Sequence, residues 1–198
     1  MPQTLGRRTA VTAMTSALIL PFPRSAPAAM GPMLLDDFSD PSGYSAIKSS
    51  WAGFTDRVMG GRSTGGARFD TVLGRRCLRL TGRVNTNGGG FIQMAMDMEP
   101  GGKAFDASGT QGLELDVWSN GEAYNCHIRT TDVQWYEQSY RATFQSSAQW
   151  TTVRLPWSAF VPHGLKAPLN IKALQRIGLL GWMRDFDADL ALARIALF

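Results

Sequence analysis

Cysteine and histidine are scarce in this chain, with two of each in 198 residues: Cys77 and Cys126, His127 and His163. The cysteines lack the C-x-x-C spacing of a redox or zinc centre, and neither histidine has a second His, Cys or acid at metal-ligand spacing. No metal site and no cofactor is expected. An oxidising compartment would allow the cysteines to pair. Alternation, however, puts Cys126 on the face of Tyr124 and Ile128 while Cys77 alternates with Leu78 and Leu80, so two buried free thiols are expected.

Several catalytic signatures are also missing. There is no G-x-S-x-G elbow for a nucleophilic serine. The glycine strings at 60–66 and 88–90 lack the strand-to-helix setting and the lysine of a phosphate-binding loop, so they read as turns. Glu114, Asp116 and Asp132 are carboxylates, but nothing marks two of them as a glycosidase pair. No catalytic residue is expected.

Long apolar runs are lacking too. The charge-free stretch Thr9 to Leu20 follows Arg7-Arg8 and precedes the small residues Ser25 to Ala29. It falls short of the roughly 20 apolar residues that span a bilayer. The order of positive region, short apolar region and A-x-A site predicts an export signal over residues 1–29, of the twin-arginine kind, and no membrane anchor once it is removed. A periplasmic or exported protein is the expectation. The formal charge of +4 changes accordingly. Arg7, Arg8 and Arg24 leave with the signal and no acid does, so 17 basic residues remain against 16 acidic. That balance, with no basic cluster interleaved with aromatics, argues against nucleic acid.

What is present over residues 30–198 fits one domain, large enough to bury about two-thirds of its unfolded surface without staples. Short alternating runs are separated by Gly, Asn, Asp and Pro clusters. Strands are expected near 34–38, 67–71, 77–84, 91–96, 112–118, 124–130, 140–144, 151–156, 177–182 and 190–197, with single helical turns at 157–160 and 171–174. On propensity alone the last segment would also suit a helix. With no long 3.6-residue period, the pattern predicts an all-β fold, a single antiparallel β-sandwich.

The chain is organised around Trp51 to Ser63, WAGFTDRVMGGRS, with Gly65-Gly66 beyond. So many glycines predict a shaped loop, and Trp51, Phe54, Val58 and Met59 are expected to pin it to a core. Asp56 is placed to accept backbone N–H groups from a tight turn, while Gly60 and Gly61 allow close chain approach.

Alternation also predicts a face. With Leu113, Leu115 and Val117 inward, Asp116 and Trp118 point outward; with Tyr124, Cys126 and Ile128 inward, His127 and Arg129 point outward; with Tyr140, Ala142 and Phe144 inward, Arg141 and Gln145 point outward. The expectation is one polar sheet face carrying all six, with Trp135 and Tyr136 on the adjoining loop. Such a set suits a sugar, a peptide or a protein partner. An outward imidazole at His127 would titrate between about pH 6 and 7. The alternative is a solvated face crossed by ion pairs such as Asp116 with Arg129.

The string W-x4-D-R-V-M-G-G-x-S from Trp51 to Ser63, with Gly88-Gly89-Gly90-Phe91 beyond, resembles the complex I intermediate-associated protein 30 family. Leu80-Thr81-Gly82, Asn120-Gly121-x2-Tyr124, Trp150-x2-Val153-x-Leu155-Pro156, Phe160-x-Pro162 and Ile177-Gly178-Leu179 follow in order, so the resemblance covers nearly everything after residue 33. It implies a galactose-binding-like jelly roll and makes the final segment a strand. It further implies a non-catalytic binding or assembly-factor domain serving respiratory NADH:ubiquinone oxidoreductase, with subunits of that complex as partners. The same fold serves carbohydrate-binding modules, which makes glycan recognition the alternative, and an exported location suits it better. An enzyme of unknown class is the third reading.

Overall fold

A computed structural model describes residues 32–198. The expected export signal, residues 1–29, lies outside them. Twelve strands follow in order: β1 (Met33–Asp36), β2 (Trp51–Thr55), β3 (Thr64–Val72), β4 (Arg75–Val84), β5 (Phe91–Asp97), β6 (Gly112–Ser119), β7 (Ala123–Thr130), β8 (Ser139–Gln145), β9 (Thr151–Pro156), β10 (Val161–His163), β11 (Leu174–Trp182) and β12 (Phe186–Leu197). Asp56–Met59 and Trp157–Ala159 are single 3-10 turns.

The strands build two antiparallel six-stranded sheets. The first has the order β3-β4-β12-β6-β9, with β1 also on β12; the second has the order β10-β8-β7-β11-β5-β2. This is the expected all-β sandwich with its jelly-roll crossovers. Apolar alternation produces it. In β6 the buried positions Leu113, Leu115 and Val117 alternate with half-buried Glu114, Asp116 and Trp118. Between the sheets, Leu80, Leu115, Leu190 and Ile195 of the first meet Met94, Tyr124, Ile128 and Leu179 of the second in one core. Each such buried side chain contributes roughly 1.5–3 kcal/mol. The central strands β11 and β12 are buried on both faces over residues 177–181 and 190–193, which is why those runs are apolar.

The final segment is a strand, as the resemblance implies, because β12 pairs with β4 on one side and β6 on the other. Both cysteines are buried and free. Cys126 lies in the main core, and Cys77 in a small cluster with Val72, Ala191 and Ala193 on the outer side of the first sheet.

Three local expectations are corrected. Trp51–Thr55 is a strand rather than loop, because β5 offers it a free edge, Trp51 opposite Met96 through Thr55 opposite Ile92. Gly65 and Gly66 likewise lie within β3. Val58 and Met59 are not anchors: they are 72% and 53% exposed, since the 3-10 turn buries Asp56 and points these two away from both sheets. Residues 171–173 form a turn leading into β11 and not a helical turn, closed by Ala173 N–H donating to the Asn170 carbonyl at 3.1 Å.

The turn itself is built on Asp56, which is fully buried. Its carboxylate accepts from the Ser63 amide (2.9 Å), the Ser63 hydroxyl (2.7 Å), the Gly90 amide (2.6 Å) and the Phe91 amide (3.3 Å). The Ser63 hydroxyl in turn accepts from the Asn85 amide at the end of β4 (3.0 Å). One carboxylate thereby ties the β3 and β4 ends of the first sheet to the start of β5 in the second. Gly89 is required beside it, because a Cβ there would stand 2.6 Å from Asp56 Oδ2. Trp51 is held separately, its indole N–H donating to buried Asp36 at 2.8 Å.

Candidate functional site

The six outward residues do not share a face. β6 belongs to the first sheet, whereas β7 and β8 belong to the second. Asp116 and Trp118 therefore lie on one side of the sandwich, and His127, Arg129, Arg141 and Gln145 on the other. The pair Asp116 with Arg129 is likewise not formed.

On the first-sheet side the charges close on one another. Arg75 and the Thr152 hydroxyl reach Asp116 at 3.0 and 2.7 Å. Arg194 and Arg154 reach Glu114 at 2.6 and 2.8 Å and hold its pKa below the ordinary carboxylate range. Arg79 makes two 2.7 Å bonds to Asp189 and a third, at 3.2 Å, to Asp70. Trp118 packs on the Cys77 cluster with the Arg79 guanidinium 5.7 Å above its ring. Its indole N–H is left without a partner.

The second-sheet side is different. Register sets Arg141 beside His127 and His127 beside Gly178, with Ala95 and Ala52 continuing the row. These residues are small, and the Gln93 side chain lies across Gly178. Along one bank stand Phe54, Phe91 and Trp182, with centroid separations of 6.1 and 6.0 Å. Trp182 leans over the row, its ring centroid 5.1 Å from the His127 ring and 4.4 Å from the Arg141 guanidinium carbon. On the other bank Arg176 pairs with Asp97 at 2.6 Å, and Arg129 sits beside Arg176.

The neighbouring loop is fastened to this face. Arg129 donates to the Tyr136 carbonyl at 2.6 Å and Arg141 to the Glu137 carbonyl at 3.2 Å, while Gln138 bonds back to the Gln134 and Trp135 amides and across to the Gly164 carbonyl. Trp135 and Tyr136 are thus displayed on an anchored loop at 60% and 70% exposure, as the sequence suggests.

His127 is 8% exposed, and its Nε2 has no partner. Burial, reinforced by Arg141 and then His163, pulls its pKa down to about 3. The expectation of titration between pH 6 and 7 is corrected: the ring is neutral across that range. In the unfolded chain an imidazole takes its proton near about pH 6.5. Between there and about pH 3 the unfolded state binds more protons than the native state, so stability falls as pH falls through that window. The slope attributable to His127 reaches at most about 1.4 kcal/mol per pH unit. Urea unfolding of the parent and of His127→Gln from about pH 6.5 down to 4 measures it. The variant should show the shallower slope, and equal slopes would mean that the native imidazole is protonated there.

Phe54, Phe91, Gln93, Arg176 and Trp182 complete this face; alternation did not single them out, and Phe54, expected to pin the loop to the core, stands on this outer face instead. The run Ile177 to Trp182 is apolar at every position, so it carries no in-or-out signal. The one available cue was the position of Phe91 directly after Gly88-Gly89-Gly90.

The sandwich has relatives among solved structures. The family 11 carbohydrate-binding module of a Clostridium thermocellum cellulosomal cellulase superposes with TM-score 0.67 at 15% identity, over 86% of this chain and 96% of that one. The same kind of module in complex with a β-1,3-1,4-mixed-linked tetrasaccharide gives 0.66 at 16%, over 86% and 97%. A family 30 carbohydrate-binding module of C. thermocellum gives 0.55 at 14%, over 85% and 98%. At such identities the likeness is one of fold. In sequence the chain is 27% identical over 158 residues to Endoglucanase 3 of Fibrobacter succinogenes, covering 73% of this chain and 23% of that protein. The chain thus spans about a quarter of the length of that relative. Residues 37–191, most of the described sandwich and the whole of the Asp56 turn, match the family model described as complex I intermediate-associated protein 30, and the chain belongs to that family.

Proposed function

We propose that this chain is a binding domain without catalytic chemistry, which takes an extended glycan across the outer face of its second sheet. One observation carries the reading: the first-sheet face satisfies its charges internally, whereas the second-sheet face presents an aromatic bank beside two arginines, Arg129 and Arg141, that reach no carboxylate. Flat rings beside hydrogen-bonding groups match the two sides of a sugar, apolar C–H faces and peripheral hydroxyls. The relation of fold to modules that include one in complex with a mixed-linked tetrasaccharide supports the same choice.

Trp182 is the anchor that the test addresses. Trp182→Ala should weaken glycan binding by about 2 kcal/mol, roughly thirty-fold, because half-buried aromatic anchors carry most of an interface's energy. Calorimetric titration of parent and variant against a mixed-linked glucan and other oligosaccharides reads this. Trp118→Ala, on the opposite face, should leave affinity unchanged. If Trp118→Ala removes binding while Trp182→Ala does not, the wrong face has been chosen.

Family membership favours a second reading, in which the occupant is a protein and the domain aids assembly of a respiratory NADH:ubiquinone oxidoreductase. The anchored Trp135–Tyr136 loop would then be the contact. Affinity capture from the membrane fraction separates the readings: recovery of complex I subunits, lost on Trp135→Ala, would favour assembly over glycan.

A further inference from the structure

We propose that the glycan held on this face is acidic, a polymer of uronate sugars whose carboxylates are received by Arg141 and Arg129. This rests on the glycan reading and deepens it. The six strands of the second sheet carry three arginines, Arg129, Arg141 and Arg176, against one acid, Asp97. Arg176 occupies that acid at 2.6 Å. The other two arginines meet neutral oxygens only: Arg141 donates to the Ser139 hydroxyl at 2.9 Å and the Glu137 carbonyl, and Arg129 to the Tyr136 carbonyl. On the opposite face Arg75, Arg79, Arg83, Arg154 and Arg194 each reach a carboxylate within 3.2 Å.

A half-buried cation without a counter-charge is costly to hold. Burial pulls the Arg141 pKa down to about 10 and lowers that of Arg129, with Arg176 adding to the latter and Glu137 of the adjoining loop opposing it without forming an ion pair. Arg141 is also oriented. Its guanidinium carbon lies 4.4 Å from the Trp182 ring centroid, its donors reach Ser139 and Glu137, and His127 stands beside it in the same row. Arg129 and Arg141 are diagonal neighbours on adjacent strands, a spacing of roughly 7–8 Å between backbones that places two cations along one bound chain. A guanidinium beside an aromatic plane receives a carboxylate and a sugar ring together. An acidic peptide would satisfy the charge and leave the bank of Phe54, Phe91 and Trp182 without flat rings to cover.

The experiment titrates the protein with an oligogalacturonate, its methyl ester, a neutral mixed-linked oligosaccharide and polyglutamate of matched length, at low and high salt. The expected result is that the oligogalacturonate binds at least about ten-fold tighter than its ester or the neutral glycan, since charge-assisted bonds are roughly twice as strong as neutral ones. Arg141→Gln, which keeps a donor and removes the charge, should erase that preference, while Arg154→Gln on the far face should not. Equal affinity for the oligogalacturonate and its ester would overturn the acidic preference and leave the glycan reading standing. Polyglutamate binding as tightly as the oligogalacturonate, or no binding of any glycan, would overturn both.

Discussion

Replacing Asp56 by alanine should cost about 4–5 kcal/mol of stability, because the change strands several buried donors at once, each worth about 1–3 kcal/mol when left unpaired. For a domain of this size that corresponds to a fall in melting temperature of about 10–15 °C. The donors are the Ser63 amide and hydroxyl and the amides of Gly90 and Phe91; of these the Ser63 hydroxyl has a second, longer acceptor in the Asn85 carbonyl at 3.4 Å. The damage should not stay local, since the carboxylate joins the β3 and β4 ends of one sheet to the start of β5 in the other. Asp56→Asn keeps the shape but turns an amide toward donors, so it should fall between alanine and the parent. Met59→Ala, three residues away and exposed, should melt within about 1–2 °C of the parent, as surface changes do. An Asp56→Ala melt as close to the parent as that would show that the turn does not hold the sheets together.

Gly61→Val should be the second most damaging change, at roughly 3–4 kcal/mol, and more damaging than Gly60→Val next to it. The sequence treats these glycines as a pair; the structure separates them. Gly60 caps the 3-10 turn at φ +85° with open space around it, so a β-branched residue there meets backbone strain alone, about 1–3 kcal/mol. Gly61 has the opposite problem. A Cβ on it would overlap Asp56 Cγ, so any side chain must push the carboxylate off its donors. The two changes at one site should then be far from additive: once Asp56→Ala has opened the space, Gly61→Val should add little. Chemical unfolding of the single and double variants measures the coupling. Full additivity would mean that Gly61 is needed for its conformation and not for the room it leaves.

Much of this was legible before any coordinates. The Asp56 turn could be located because an acid among glycines and small residues has few roles other than accepting amides. In the sequence its partners Gly90 and Phe91 appear only as a later glycine string. The inward sets Leu113-Leu115-Val117, Tyr124-Cys126-Ile128 and Tyr140-Ala142-Phe144 are all buried as alternation predicts, because a strand in a two-layer sandwich has one wet side and one dry side. Val58 and Met59 were misjudged for a related reason. Outside a strand, apolar character does not say which way a side chain turns.

The composition and period-2 pattern by themselves determined the fold class and, strand by strand, which side chains face the core. Only the tertiary structure decided which sheet each strand joins, and with it which outward residues meet. Alternation is measured along one strand, so it is blind to the layer in which that strand lies. The chain leaves the second sheet after β5, runs through β6 in the first, and returns to the second at β7. Asp116 and Trp118 consequently ended on the face whose arginines neutralise its acids, while His127, Arg129 and Arg141 ended on the face that has one acid for three arginines. Trp182, which organises that second face, ends the run Ile177 to Trp182, which is apolar at every position and so carries no alternation to read.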